Sequence, residues 1–448
     1  MNVNRRNFLA LAAAGGASAM AGCKGFPGIT SCKSPNGKLR LVSIGCGGQG
    51  KYDIKCFKSH KRTEMAAFCD VDLKALDSLK KEFPNARFYQ NWRDMLDKED
   101  PDAVHVATPD HNHALIMCEV LRRGKHLYAQ KPLCRTLEEC AAIDALAKSS
   151  GVVTQLGTQI MPWWCDRYTS EQIRTGQIGQ VKKVWLFSNT GVYQKLWDRT
   201  KLPAKADIPA TLDWKGWLEG APNASLEYSK GYHPFSWRVW KDFGSGWLGD
   251  MFSHIFSPIW VGMDLGRIEP LSVKAEVLDE GWSAAQKAVF LPQVTHITWT
   301  FPGVKATGGK PFEVEWCDAP RTDEGKVPEQ FLPPKRFSEM AAKTQLGALP
   351  LQGRVVEGTT GTQISTHFNV DPVVIKNGSA DKTANVKANT DGTVLTRLPS
   401  LEPVKSHFHE FLDCCLDGGT PLSSLDWTCK LTETIVKGNM AVRKTAGF

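Results

Sequence analysis

The sequence predicts an α/β protein in two parts: a doubly wound parallel sheet, then an α/β domain whose sheet is open and largely antiparallel. Three observations carry that prediction. Short apolar runs alternate with segments of helical spacing between residues 39 and 156, and the first run passes directly into a glycine cluster. Beyond residue 180 the pattern changes to alternating strands joined by long Pro- and Gly-bearing connections.

The first strand is Leu39-Arg40-Leu41-Val42-Ser43-Ile44, followed at once by Gly45-Cys46-Gly47-Gly48-Gln49-Gly50 and a helix with apolar spacing around Ile54 and Phe57. A second strand, Met65 to Cys69, ends in Asp70. Strands follow at Ala103 to Ala107, His126 to Ala129 and Val152 to Leu156, separated by helices at His111 to Arg123 and Leu137 to Lys148. Such βα units imply parallel pairing, because a crossover helix returns each strand in the same direction. In the second part, Val184 to Ser188, Val273 to Val277, Val294 to Phe301, Phe312 to Trp316 and Arg354 to Glu357 alternate as strands of one sheet. Helices at Phe408 to Leu416 and Lys430 to Arg443 are expected to pack back onto the body, and the polar segment Phe368 to Pro399 receives no element. This divides the chain into a nucleotide-binding domain at 39–158 and a substrate and oligomerisation domain at 159–448, with no internal repeat.

The remaining N-terminal residues read as processing signals. Asn4-Arg5-Arg6-Asn7-Phe8-Leu9 places a twin arginine before a run, Leu9 to Met20, too short to span a bilayer. The pattern resembles a twin-arginine export signal, and Met20-Ala21-Gly22-Cys23 resembles a lipobox in which Cys23 is lipidated. The alternative is a soluble N-terminal helix that holds two arginines. Residues 1–23 are set aside as this signal and 24–38, rich in Gly, Pro, Ser and Lys, as a tether. The expected location is periplasmic, free or membrane-anchored.

Composition narrows the function classes. With 55 Lys+Arg against 47 Asp+Glu among 448 residues the net charge is only +8, and the basic residues are scattered, so nucleic acid is not an expected partner. Thirteen cysteines include no CxxC pair, and Cys46, Cys69, Cys118 and Cys140 lie in apolar patterns, which points to buried thiols.

A glycine cluster between a strand and a helix lets the backbone approach a pyrophosphate and aims the helix N-terminus at its charge. Gly45, Gly47, Gly48, Gln49 and Gly50 are therefore cofactor candidates. Asp70 stands about 20 residues further on, where a carboxylate accepts from the ribose hydroxyls. No Arg or Lys adjoins Asp70 to pair with a ribose phosphate, so NAD is preferred over NADP.

Strand ends are where an α/β sheet binds its ligands, and here they carry Thr108-Pro109 and Gln130-Lys131-Pro132. Lys131 can donate a proton or hydrogen bond to a substrate oxygen, though a strand-capping surface lysine would occupy the same position. Asp250 and His254 have i, i+4 spacing, so on a helix they share a face. His254 can remove a hydroxyl proton and Asp250 can orient the ring or hold a second hydroxyl; a capping aspartate beside a partly buried histidine is the structural alternative. Two ligands are too few for a metal, and none is expected.

With the glycine fingerprint, QKP at 130–132 and the DxxxH pair at 250–254, the chain resembles the Gfo/Idh/MocA family of oxidoreductases over about residues 38–443. Its exported branch is matched by LDWKGWLEGAP (212–222), YHPFSWR (232–238), FGSGWLGDMFSH (243–254) and LTETIVKGNMAVR (431–443). The resemblance implies an N-terminal Rossmann domain, a C-terminal domain with an open sheet, and a sugar or cyclitol held between them. Lys131 and His254 would be catalytic, with Asp250 orienting the substrate. Thr108, Pro109 and His113 would line the nicotinamide ribose, Gln130 would belong to the cofactor site, and Trp237 and Arg238 would close over the cofactor. Gln159, Trp163 and Tyr232 join Asp250 and His254 on the substrate side, and Trp164, Trp237 and Trp240 are further rings able to stack on sugars. The family's glutamate before the lysine is Gln130 here.

An exported dehydrogenase meets no pool of free nicotinamide cofactor. The first expectation is thus a sugar oxidoreductase with retained NAD, probed against a redox-assisted glycosidase or lyase and against a non-catalytic carbohydrate-binding lipoprotein. A homodimer or homotetramer is expected, because an open sheet face exposes apolar surface.

Overall fold

The computed structural model describes residues 37–192, 195–278, 281–319, 328–367, 372–376, 379–380 and 406–447. The expected export signal at 1–23, nearly all of the 24–38 tether and most of Phe368 to Pro399 lie outside the described residues. The chain forms two compact units: residues through Gly157 with Arg199–Ser245 and Ser406–Thr432, and Thr158–Asp198 with Gly246–Lys405 and Glu433–Phe448.

The first unit begins β1 (Leu39–Ile44), α1 (Gly48–Lys58), β2 (Thr63–Cys69), α2 (Leu73–Glu82), β3 (Arg87–Tyr89), α3 (Trp92–Glu99), β4 (Ala103–Val106), α4 (Asp110–Arg122), β5 (His126–Ala129), α5 (Leu137–Ser150) and β6 (Thr154–Leu156). All six strands pair in parallel, in the order β3-β2-β1-β4-β5-β6. The order reverses between β1 and β4, which opens a crevice at their carboxyl ends.

Strand residues alternate between two cores, one on each face. Leu39 and Leu41 join Phe57, Phe68, Leu76 and Tyr128, while Val42 and Ile44 join Val104, Val106, Met117 and Leu127. Burial on both faces accounts for the largely apolar runs of these strands. The helix His407–Asp417 covers the first of these faces with Phe408, Phe411 and Leu412, as its apolar spacing predicts. Each such large side chain contributes roughly 1.5–3 kcal/mol of burial.

Helix starts follow local chemistry. Asp72 accepts from the Lys74 amide, Asn91 from those of Arg93 and Asp94, and Thr136 forms a reciprocal capping box with Glu139. Sequence reading left α2, β3 and α3 unassigned; β3 has three residues, too few for alternation to show.

In the second unit, α6 (Trp164–Arg174) precedes an eight-stranded sheet among the described residues. Its strands are β7 (Val181–Ser188), β8 (Ser272–Val277), β9 (Thr295–Phe301), β10 (Phe312–Asp318), β11 (Gln352–Gly358), β12 (Gly361–Thr366), β13 (Val373–Lys376) and β14 (Ser379–Ala380). The order is β14-β13-β12-β11-β7-β10-β9-β8, and only the β7–β10 pair is parallel. The sheet is therefore mixed and mostly antiparallel.

Helix α7 (Gly246–Gly262) is buried on nearly every side, and its Phe252 ring packs on Trp299 of β9 and Trp316 of β10. At Gly262 a Cβ would stand 2.8 Å from the Ser170 carbonyl oxygen, so glycine permits α6 and α7 to touch. The opposite sheet face carries Trp185, Phe187, Val355 and Ile364 under Phe337 and Ala341 of the helix Lys335–Ala342. Cys46, Cys69, Cys118 and Cys140 are buried, as their apolar settings imply.

Candidate active site

The glycine turn is a set of close approaches and one open side. Gly45, at the end of β1, has φ +84°, and a Cβ there would sit 2.5 Å from the Ala107 carbonyl oxygen. At Gly50 a Cβ would lie 2.1 Å from the Gly45 oxygen, so this glycine brings α1 against the strand end. Gly47 and Gly48 differ: a Cβ at either meets nothing within 4 Å. Gly47 caps α1 without a side-chain bond, and no acidic residue stands in the first turn. The helix N-terminus thus faces open space with unopposed N–H groups, an arrangement suited to a pyrophosphate.

Asp70 stands at the end of β2 and accepts the Cys46 amide at 2.8 Å and the Asp72 amide at 2.9 Å. Withdrawal from water pushes its carboxyl up to about 6, against the pull of these backbone donors. A carboxylate offers about four acceptor positions, so capacity remains for ribose hydroxyls. The neighbouring wall comes from residues 211–213: Leu73 donates to the Thr211 carbonyl, Asp213 to that of Val71, and Gln90 to both carbonyls.

Thr108 and Pro109 follow β4, and the buried Thr108 Oγ1 has no protein partner, leaving a hydroxyl for a ligand. His113, expected to line the ribose, stands in the first turn of α4. Its two ring nitrogens each lie 2.7 Å from a backbone carbonyl, those of Pro132 and Thr108, so the ring braces the two strand-end turns. His111 and Asn112 likewise hold the Trp217 carbonyl at 2.7 and 3.0 Å. Burial drives the His111 ring down to about 3, which keeps it neutral.

Beneath Lys131 lies a buried polar network that the sequence reading missed. The Asp53 carboxylate receives Gln49 Nε2 at 2.8 Å and Gln130 Nε2 at 2.6 Å, and the His105 Nε2 at 3.0 Å. The other His105 nitrogen lies 2.5 Å from the Ser43 hydroxyl. Gln130 Oε1 in turn faces the Lys131 amide at 3.4 Å. Ser43, Asp53 and His105 are each fully buried. The signal was present as polar residues inside apolar runs: Ser43 in LRLVSI, His105 in AVHV, and Asp53 beside Ile54.

The segment 199–245 belongs to this first unit. Tyr232 and Trp240, expected as sugar-stacking rings, are 4% and 1% exposed and pack on each other at 4.8 Å. Tyr232 also lies parallel to Trp214 and edge-on to Phe243, which makes it core. Arg238 spreads its guanidinium over Trp237 at 4.3 Å and Phe235 at 4.5 Å, and Phe235 is 50% exposed. Arg135 anchors the segment by donating to the Asp242 and Lys241 carbonyls.

In the second unit Asp250 and His254 share α7 at the expected spacing. Pro258 has no N–H for the His254 carbonyl, and the neighbouring Ile255 carbonyl accepts from Arg354 at 2.9 Å. Arg354 is fully buried, forms a close ion pair with Asp166 of α6 and also bonds Ser365 and the Thr366 carbonyl. Burial raises the Asp166 carboxyl to about 6 against the opposing Arg354 charge. Gln159 occupies a turn before α6, and Trp163, at its N-cap, is 39% exposed.

Comparison with known proteins returns one family. The sequence model of the Gfo/Idh/MocA oxidoreductase family's NAD-binding Rossmann fold matches residues 39–158, and that of its C-terminal alpha/beta domain matches 167–291, together more than half of the chain. The chain is 30% identical over 166 residues to a levoglucosan dehydrogenase of Pseudarthrobacter phenanthrenivorans, covering 37% of this chain and 34% of that protein. It is 29% identical over 163 residues to a glycosyl hydrolase family 109 protein of Shewanella baltica, 31% of this chain and 36% of that one. The matches span only part of such relatives, 54% of the length of an oxidoreductase from Synechocystis. Among solved structures, the aldose-aldose oxidoreductase of Caulobacter crescentus superposes with TM-score 0.57 at 16% identity, over 92% of this chain and 98% of its own. The WlbA dehydrogenase of Bordetella pertussis, solved with NADH and UDP-GlcNAcA, gives TM-score 0.58 at 14% identity over 91% and 96%. These two likenesses concern the fold alone.

Proposed function

The chain belongs to the Gfo/Idh/MocA oxidoreductase family, and from that premise we propose that it oxidises a hydroxyl of one sugar or sugar derivative with NAD that it retains through turnover, the carbonyl of a second sugar being reduced in return so that the cofactor regains its starting state. The observation that carries the reading is the glycine turn itself: an uncapped helix N-terminus, open space at Gly47 and Gly48, and Asp70 held at the adjacent strand end. Gly45 to Gly50 would hold the pyrophosphate, Asp70 the adenosine ribose and Thr108 the nicotinamide side; NAD, when bound, supplies a hydride acceptor. A 2′-phosphate would meet the Asp70 carboxylate, which favours NAD over NADP.

In this reading Lys131 donates to the substrate oxygen, His254 removes the hydroxyl proton and Asp250 fixes a second hydroxyl. Retention follows from the proposed twin-arginine export and anchoring at Cys23, since a cofactor lost outside the cytoplasm is not replaced. The likeness to the family 109 glycosyl hydrolase supports a second reading, in which transient oxidation acidifies an adjacent carbon and a glycosidic bond is eliminated with no net redox change.

One experiment separates them. Purified protein is analysed by native mass spectrometry for bound dinucleotide, then mixed with free aldoses and with aryl glycosides while nicotinamide absorbance and aglycone are followed. Absorbance change with sugar supports the oxidoreductase, aglycone release without net absorbance change supports the elimination, and neither, in protein carrying dinucleotide, refutes both.

A further inference from the structure

The Asp53 carboxylate is sealed from water at a point where nothing in the proposed chemistry uses it. Buried carboxylates persist only where donors replace water, and this one collects donors from three elements: Gln49 in the first turn of α1, His105 on β4 and Gln130 at the end of β5. A carboxylate only accepts, so it compels Gln130 to present its Nε2 and directs Oε1 toward the Lys131 amide. Space is shaped to match: a Cβ on Gly157 would lie 2.9 Å from the Gln130 amide group. A glutamate at position 130 would instead set a second carboxylate about 2.6 Å from the first, and the two would have to share a proton.

We propose that Asp53 is a positioning residue for Lys131: it carries the negative charge that the family motif places at residue 130, and through Gln49 it ties the lysine's turn to the glycine turn. This rests on the reading of Lys131 as hydrogen-bond donor to the substrate oxygen. The pair Asp53 and Gln130 then constitutes one acceptor and one donor whose identities can be exchanged.

The test uses the full protein, the single variants Asp53→Asn and Gln130→Glu, and the exchange variant Asp53→Asn/Gln130→Glu. Asp53→Asn removes the charge from this hydrogen bond and Gln130→Glu replaces its amide donor with a second carboxyl, so kcat falls about 10- to 100-fold, with retained dinucleotide and little change in KM. Gln130→Glu also shifts the pH profile of kcat, because a shared proton now sits beneath the lysine. The exchange variant restores one acceptor and one donor and recovers most of the lost kcat. Parental kcat in Gln130→Glu, or an exchange variant no better than the poorer single, overturns the proposal. Should Asp53→Asn fail to fold, the comparison of Gln130→Glu with the exchange variant decides. Melting temperatures of the four proteins repeat the cycle without turnover. A parent inactive on every sugar refutes the functional reading alone; recovery of melting temperature in the exchange variant then supports the pairing, and no recovery overturns it.

Discussion

Lowering the pH from 8 to 5 takes away the charge with which Asp70 would hold a ribose. Withdrawal from water raises its carboxyl from 3.8 to about 6, with the Cys46 and Asp72 amides opposing. Ribose hydroxyls donate to the ionised form, so the apparent Kd for NAD scales inversely with the fraction ionised. That factor is close to 1 at pH 8 and about 11 at pH 5, or about 1.4 kcal/mol. For stability the sign is opposite. A folded-state value raised above the unfolded one gives a contribution present in full below about 3.8 and lost as the pH rises through about 6. The cofactor-free protein therefore gains stability from this group on mild acidification while it loses affinity. Calorimetric titration of NAD into protein freed of dinucleotide, at pH 8, 6.5 and 5, measures the effect, with Asp70→Asn as control. An unchanged Kd across that range, or the same slope in Asp70→Asn, refutes the reasoning.

Three further outcomes are expected. Arg354→Met leaves Asp166 buried without its counter-charge and costs about 3–5 kcal/mol. Because the Asp166 carboxyl already sits near 6 and rises further, denaturant titration should show a smaller loss at pH 5 than at pH 8. Gly47→Ala, at an ordinary φ of −88° with open space around it, should keep the melting temperature and weaken NAD binding; Gly50→Ala, whose methyl meets the Gly45 oxygen at 2.1 Å, should lose about 1–3 kcal/mol of stability instead. Lys131→Met and His254→Asn should each lower kcat by about 10²- to 10⁴-fold with dinucleotide still bound, as read by absorbance and mass spectrometry.

The parallel sheet was legible because its signals are local. Leu39 to Ile44 is apolar except at Arg40 and Ser43, since both strand faces are covered, and the glycines follow it without a gap. Asp70 was legible by its distance along the chain from Gly50. Short elements were not: β3 and β14 hold three and two residues, and periodicity needs more. The aromatic segment was illegible for a different reason. A Tyr or Trp reads the same whether it faces a ligand or a core, and only packing against Trp214 and Phe243 showed that Tyr232 is interior. His113 gave a similar lesson, because two backbone carbonyls that no sequence motif encodes claim both its nitrogens.

By itself the sequence determined the fold class, the dinucleotide turn and its acidic partner, and the i, i+4 pairing of Asp250 with His254, all of which depend on residues close in the chain. Tertiary structure alone decided which polar groups lie buried together. Ser43, Asp53, His105 and Gln130 are separated by up to 77 residues between bonded partners, and Asp166 and Arg354 by 188. Hydrogen bonding and charge pairing act over a few ångströms of space, and it is the folded sheet, not the order of residues, that sets those distances.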